Sequence, residues 1–364
     1  MVSVFSVPVI DAMPSQRARV ALAATRKESR RLIFIRKQWT GAAGWSDAIQ
    51  QFYEGAAAKF SEAACLEISV RSIPDLQVAN RNLLRMAVGK ENLGDLVVLI
   101  NHSICWWAVW PVLRKLKRRG ATICLCMHEH EHILGMSYVL RHLANLRPKE
   151  ILRYSRLFHA IPARLSTRVM VLADAQASVL GIPDAIRTSF LPVSGATFRA
   201  QRDHRPGASA AAAMILFAHD PSRFDKGHRF VASAHLLTRN KMEFLYGRDT
   251  NLPYDRVYEK YWGCDVLFLP SDWESYSLVF IEALACNKFV VTNARVGAVR
   301  LLLGKYSVEE LESFGLFVTD HSAQAYAYCL DRAVDQVVRE SIANTRSLFD
   351  EFGFDAVCLP TQLL

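Results

Sequence analysis

Apolar runs of strand length alternate with longer amphipathic stretches along the chain. RLIFI (31–35) precedes a helical pattern from Trp45 to Phe60; CLEISV (65–70) and DLVVLI (95–100) follow. A helical stretch from Cys105 to Arg119, ATICLCM (121–127), helical material to Leu165 and RVMVLA (168–173) complete this series. Strands alternating with helices predict βαβ units and a parallel sheet. The alternation breaks at QRDHRPGASAAAA (201–213), a polar, Gly/Pro-containing and then alanine-rich segment that reads as an interdomain linker. It then restarts with MILFA (214–218), a helix near Gly227 to Arg239, MEFLYG (242–247), DVLFLP (265–270), a helix near Ser277 to Ala285, and KFVVT (288–292). The pattern therefore predicts an α/β chain of two doubly wound domains facing across a cleft. Their expected limits are 1–200 and 201–364, with the final helix packing back on the first domain.

Composition fits this division. A chain of 364 residues exceeds the size at which one core keeps growing, so it divides into domains of about 150 to 200 residues. With 51% apolar and 22% charged residues it has ample material for a core. No run of 18 or more apolar residues occurs, and the apolar stretch at the start precedes its basic residues, the reverse of a secretory signal. A cytoplasmic location is expected, peripheral on the inner face of the membrane. The 8 cysteines form no CxxC pair and read as reduced, buried thiols.

Charge changes the picture more. Residues 1–200 carry 27 Lys and Arg against 14 Asp and Glu, a net +13, whereas residues 201–364 carry 17 against 21, a net −4. The first half thus suits an anionic partner, a membrane leaflet or a polyanion, or is simply a solvated basic face. No nucleic-acid motif accompanies the charge, and no nucleic-acid partner is expected. Within that half, Trp106, Trp107 and Trp110 precede Arg114, Lys115, Lys117, Arg118 and Arg119. Such indoles serve either as an interfacial anchor above anionic lipid or as packing against the sheet.

Ligands of open parallel sheets bind beyond the carboxyl ends of the strands, which directs attention to SDWESYSLVFIEALA (271–285) after DVLFLP. Exposed amides at the N-terminus of the helix that begins near Ser275 to Ser277 suit a diphosphate. Glu274 precedes that helix and Glu282 lies eight positions on, about two turns into it. Carboxylates of this kind suit sugar and ribose hydroxyls.

Here the sequence resembles the retaining glycosyltransferases of family 4 (group 1), which have the GT-B fold. The pattern carrying the resemblance is Tyr261, Asp265, Pro270-Ser271, Glu274, Glu282, Ala283 to Ala285, Phe289 to Val291 and Gly297. By that resemblance Glu274 would contact the donor sugar, Glu282 the ribose, and amides around Tyr276 to Leu278 the diphosphate. Two departures stand out. The family's Gly-Phe-Gly is Ser275-Tyr276-Ser277 here, and only 17 residues separate Gly247 from Asp265, which implies one missing βα unit.

Upstream, ILFAHDPSRFDKGHRF (215–230) resembles the family's strand followed by an Arg and then Lys-Gly. Lys226 would face the leaving diphosphate, Asp220 stands at the usual Arg position, and Arg223 would substitute as the second cation. In the first half ATICLCM delivers His128 to a strand end, where the family places a histidine facing the donor sugar. Gly41 and Gly44, in RKQWTGAAGWSDAIQQF, resemble the glycine loop that passes close to donor or acceptor. Asn101-His102 follow another strand directly and would line the acceptor cleft or lie at the surface. The run His128 to His132 lacks the HExxH order of a metalloprotease, and the resemblance implies neither metal nor cofactor, only a nucleotide-sugar co-substrate. It implies a hexosyltransferase-type enzyme that moves a sugar to a glycan or lipid-linked acceptor in cell-surface polysaccharide assembly. The altered Ser275-Tyr276-Ser277 loop leaves open a non-catalytic relative that binds nucleotide or a partner.

Overall fold

The computed structural model describes residues 4–5, 28–37, 43–69, 72–87, 93–128, 131–142, 148–187, 192–193, 198, 213–219, 223–246, 258–340 and 343–354. Two sheets organise them.

The first sheet contains β1 (Val4–Phe5), β2 (Glu28–Lys37), β3 (Phe60–Ile68), β4 (Leu96–Ile100), β5 (Thr122–Met127), β6 (Arg168–Val171) and β7 (Ile186–Arg187). Their order is β1-β3-β2-β4-β5-β6-β7, parallel except for β1 against β3. Between them run α1 (Ala43–Ala57), α2 (Ile73–Ala87), α3 (Ser103–Arg118), α4 (Glu131–His142), α5 (Pro148–Tyr154), α6 (Arg156–Leu165) and α7 (Asp174–Leu180). Both faces of the central strands are covered: Leu32 and Phe34 point into one apolar cluster, Ile33 and Ile35 into another. That is why β2 and β4 read as unbroken apolar runs rather than as alternation.

The second sheet contains β8 (Ala213–Phe217), β9 (Met242–Tyr246), β10 (Val266–Leu269), β11 (Phe289–Asn293) and β12 (Leu316–Thr319), in the order β12-β11-β10-β8-β9 and wholly parallel. Its helices are α8 (Arg229–Leu237), α9 (Tyr258–Trp262), α10 (Leu278–Ala285), α11 (Gly297–Leu303), α12 (Val308–Ser313), α13 (Ala323–Glu340) and α14 (Thr345–Phe352). Among the described residues β9 is the edge strand on that side, and residues 247–257 lie outside the described residues.

The strand expected at 65–70 begins earlier, at Phe60, and the preceding helix ends at Ala57. Phe60 is buried in the core as the first residue of β3, so packing takes it from the helical pattern. Of the two readings of the tryptophans, the structure realises the packed one. Trp106 is fully buried and stacks on Trp110 at 4.3 Å, while Trp107 donates Nε1–H to Phe158 O at 3.0 Å. The large indoles gain more from the α3–α6 interface than a headgroup layer would offer them. Helix α14 packs beside α10, where Arg346 donates to Ala285 O and to Phe198 O, both at 2.9 Å. Val193 N–H also bonds Phe354 O at 3.0 Å. Of the expected linker, 201–213, residues 201–212 lie outside the described residues, and Ala213 is instead the first residue of β8. No described helix is long and apolar enough to cross a membrane.

Candidate active site

The loop leaving β10 is shaped by backbone contacts that only particular residues allow. Glu274 N–H bonds Arg295 O at 3.1 Å, Gly297 N–H bonds Glu274 O at 3.0 Å, and Ala298 N–H bonds Tyr276 O at 3.2 Å. A β-carbon on Gly297 would sit 1.7 Å from Ser275 O, so glycine is required for this close approach. The loop enters α10 through Ser277, whose φ of 80° and ψ of 94° suit glycine, and whose side chain makes no capping bond. The family's Gly-Phe-Gly would need no strain at this position; the serine carries it. The first amide bonded within α10 is Ile281 N–H, to Ser277 O, which leaves those of Leu278, Val279 and Phe280 without a partner inside the helix.

A single 3-10 turn, Phe224–Lys226, is pressed against the start of this loop. Gly227 closes it at φ 74°, and a β-carbon there would lie 2.0 Å from Pro270 O. Asp272 N–H bonds Asp225 O at 2.9 Å across the same seam. The turn thereby sets Lys226 Nζ 3.0 Å from Glu274 Oε1, both groups being buried. The same carboxylate oxygen accepts Ser271 Oγ–H at 2.9 Å and has His219 Nε2 at 3.4 Å. Burial pushes the His219 imidazole below its ordinary value, against the pull of the Glu274 carboxylate.

The cations around this pair are held by carboxylates. Arg223 donates two bonds to Asp225, at 2.9 and 2.7 Å, and Asp225 also lies 3.6 Å from Lys226 Nζ. Arg229 grips both oxygens of Asp272, which further accepts His321 Nε2–H at 2.8 Å and, from the first domain, Tyr138 O–H at 3.0 Å. Burial works to raise the Asp272 carboxyl, but bonds from His321 and Arg229 hold it below the usual carboxylate range. His321 continues through Tyr326 to Asn293, whose amide reaches Ser271 O at 3.1 Å.

Glu274, Lys226, Arg223 and the Ser275–Leu278 loop are therefore brought together. His128 joins them through its backbone: Ser275 Oγ–H donates to His128 O at 3.1 Å, and the imidazole lies edge-on to Phe52 at 6.2 Å. Tyr276 is buried against Phe354, with ring centroids 6.2 Å apart, and Leu278 packs partly buried on the core. Glu282 is buried deeper, and its described contact is a hydrogen bond from Tyr261 O–H. Burial, and then the Glu282 charge, push that phenol well above its ordinary value. Gly44 lies in α1, while Gly41 and Asp220 are outside the described residues. His102 caps α3 by accepting Ile104 N–H at Nδ1, 3.1 Å. Glu131 lies 3.6 Å from Arg153, and the His132 ring lies 4.6 Å from His159.

Sequence reasoning missed His219, Asp272, Arg229, His321 and Tyr138. His219 was readable as the second residue past β8, at the carboxyl end where ligands gather. Asp220 drew attention instead, but His219 is the side chain that reaches Glu274. Tyr138 and His321 are distant in sequence from the loop and meet Asp272 only in the fold.

Residues 232–346 match the family model of Glycosyl transferases group 1. No curated protein matches the chain by sequence. Among solved structures, sucrose-phosphate synthase from Thermosynechococcus elongatus is similar over 90% of this chain and 93% of its own, with 13% identity and a TM-score of 0.61. Anabaena Alr3699/HepE in complex with UDP and glucose is similar over 90% and 97%, with 11% identity and a TM-score of 0.61. The catalytic domain of Starch Synthase IV from Arabidopsis thaliana, bound to ADP and acarbose, covers 91% and 95%, with 10% identity and a TM-score of 0.55. The chain has the GT-B fold, and its match to the Glycosyl transferases group 1 model lies within the part of the chain that builds the second sheet.

Proposed function

We propose that the chain is a retaining, hexosyltransferase-type glycosyltransferase of family 4. It would move a sugar from a nucleotide-sugar donor to a glycan or lipid-linked acceptor in cell-surface polysaccharide assembly. The observation that carries the reading is the buried Lys226–Glu274 pair at 3.0 Å beyond the carboxyl end of β10, beside the first turn of α10. Structures similar in fold hold UDP with glucose, or ADP, which supports a nucleotide-linked donor.

In this reading residues 201–364 hold the donor and residues 1–200 the acceptor. The α10 amides and Lys226 face the diphosphate, where a preorganised cation lowers the barrier to leaving-group departure. Arg223 supplies the second positive charge once it leaves Asp225. Glu274 accepts sugar hydroxyls, Glu282 the ribose, and His128 faces the sugar from the first domain. The acceptor attacks on the face from which the diphosphate departs, and the leaving phosphate oxygen takes the acceptor proton. Protein cations fill the electrostatic role, so neither metal nor cofactor is part of the proposal. Cytoplasmic placement on the inner face of a membrane completes it.

Nucleotide release from a panel of UDP-, GDP- and ADP-sugars, with wild type, Glu274→Ala and added chelator, tests this. Release by the wild type that survives chelation and fails in the variant supports it. Tight nucleotide binding without release from any donor favours the non-catalytic relative, for which the Ser277 strain is the supporting observation.

A further inference from the structure

With the tryptophans of α3 packed inward, the anchoring chemistry of the first domain has to be sought elsewhere, and the exposed side chains point to one place. Of the twelve large apolar side chains exposed among the described residues, six lie on the three consecutive helices α4, α5 and α6. They are Met136 and Leu140 on α4, Leu152 on α5, and Leu157, Ile161 and Leu165 on α6. Leu140 is 73% exposed and Leu157 70%. On α6 the three recur at i, i+4 and i+8, one face of a helix whose opposite face, His159, Ala160, Pro162 and Ala163, is buried. Nothing about helix formation requires leucine at those outward positions.

The three helices form one surface. Tyr138 of α4 stacks on Tyr154 of α5 at 5.6 Å, and Arg153 pairs with Glu131 at 3.6 Å. At the Gly135 kink, φ 66°, the Arg156 guanidinium lies against α4, 3.6 Å from where a β-carbon on the glycine would sit. Lys117 Nζ donates to Leu165 O at 2.7 Å, which brings the basic end of α3 to the far edge of the patch.

Charge identifies the occupant. Residues 131–168 carry seven Lys and Arg against two Asp and Glu. Exposed Arg141, Arg156, Arg164 and Arg168 are interleaved with the leucines, and Arg118 and Arg119 follow Lys117 at the edge. Leucines at the level of a headgroup layer with arginines beside them match an anionic bilayer; a protein partner of mixed charge would leave these arginines unpaired. The far end of α4 meets the second domain, through Tyr138 on Asp272 and His142 against Phe224 at 5.5 Å. A membrane on this face would therefore lie beside the cleft between the domains.

We infer that the α4–α6 face docks the protein on an anionic lipid surface, by insertion of Met136, Leu140, Leu152, Leu157, Ile161 and Leu165 with arginines on the headgroups. This deepens the lipid-side part of the proposed function, but its test uses no donor. The full chain is floated with vesicles of phosphatidylcholine alone and of phosphatidylcholine mixed with phosphatidylglycerol. Partition onto the mixed vesicles is expected, weakened by high salt. The double changes Leu157→Glu with Ile161→Glu, and Arg156→Glu with Arg164→Glu, should each lower it by about tenfold or more. Leu236→Glu with Leu237→Glu, two exposed leucines of α8 in the other domain, should leave it unchanged. Thermal unfolding of every variant monitors folding. Absence of partition, equal loss in the α8 control, or a dimer in sedimentation that the α6 changes dissolve would overturn the inference. Loss of nucleotide release with partition intact would count against the transferase reading alone.

Discussion

Ser277 occupies a backbone conformation meant for glycine, and this makes Ser277→Gly a test of how the loop is built. Its φ of 80° and ψ of 94° place the β-carbon where L-residues meet the neighbouring carbonyl. Such strain costs about 1–3 kcal/mol. Its buried hydroxyl also finds no hydrogen-bond partner among the described residues, a further cost of about 1–3 kcal/mol. Against this, glycine makes the unfolded chain freer by about 0.5–1 kcal/mol. Taking the lower end of each range, the variant should gain about 1.5 kcal/mol, and the midpoint should rise by about 3–6 °C. Thermal and urea unfolding measure this, with an unchanged denaturant slope as the sign that only stability moved. Ser275→Gly is the control. Ser275 is not at positive φ, and its hydroxyl bonds His128 O, so glycine there should lower stability by about 1 kcal/mol. A midpoint for Ser277→Gly equal to or below wild type would refute the strain argument.

Three further outcomes follow from the same contacts. Gly297→Ala sets a β-carbon 1.7 Å from Ser275 O, so the loop must move or the fold give way; a loss of about 3 kcal/mol or more together with loss of nucleotide binding in a thermal-shift titration is expected. Lys226→Met strands the buried Glu274 carboxylate, at a cost of about 3–5 kcal/mol, and adding Glu274→Gln should recover part of it in a double-mutant cycle. On acidification His219 and Asp272 act in separate windows. The folded His219 binds its proton less readily than the unfolded chain, so stability falls as pH drops below 6.5, and His219→Gln should flatten that limb in melts across pH. The depressed Asp272 carboxyl adds a loss only below about pH 4, where the unfolded carboxyl begins to protonate.

The fold was legible because its strands are buried on both faces. Runs such as DVLFLP and KFVVT have no other stable arrangement than the interior of a parallel sheet, and they emerge as β10 and β11 within a residue or two of their expected limits. Phe60 was misassigned because one apolar residue after an amphipathic helix satisfies either period; only burial in β3 decides it. The Glu274 loop was legible since its residues are contiguous and follow a strand. The network around Asp272 was not, because Tyr138, Arg229 and His321 lie 134, 43 and 49 positions away from it and share no periodicity. The tryptophans beside the α3 basic cluster show the limit of composition: their chemistry allows both interface and core, and α6 supplies the surface that takes them in.

The electrostatics of the site show what holds its cations in place. Lys226 rests on Glu274, Arg223 on Asp225 and Arg229 on Asp272, so these three positive charges are each matched by a carboxylate of the same domain. Buried carboxylates without those partners would cost several kcal/mol each, by the usual desolvation penalty of about that size. The proposed donor would enter by exchange. Its diphosphate takes the positive charge of Lys226, and Glu274, released from the lysine, turns to the sugar hydroxyls. The pair then selects for a ligand bearing both an anion and hydroxyls at that spacing. Inorganic pyrophosphate satisfies the cation but strands Glu274, whereas a nucleotide sugar satisfies both. Wild type should therefore bind the nucleotide sugar more tightly than its nucleoside diphosphate, and Glu274→Gln should shrink that difference by narrowing affinity for the sugar form alone. Equal affinities in wild type, measured by isothermal titration, would remove the exchange from the argument.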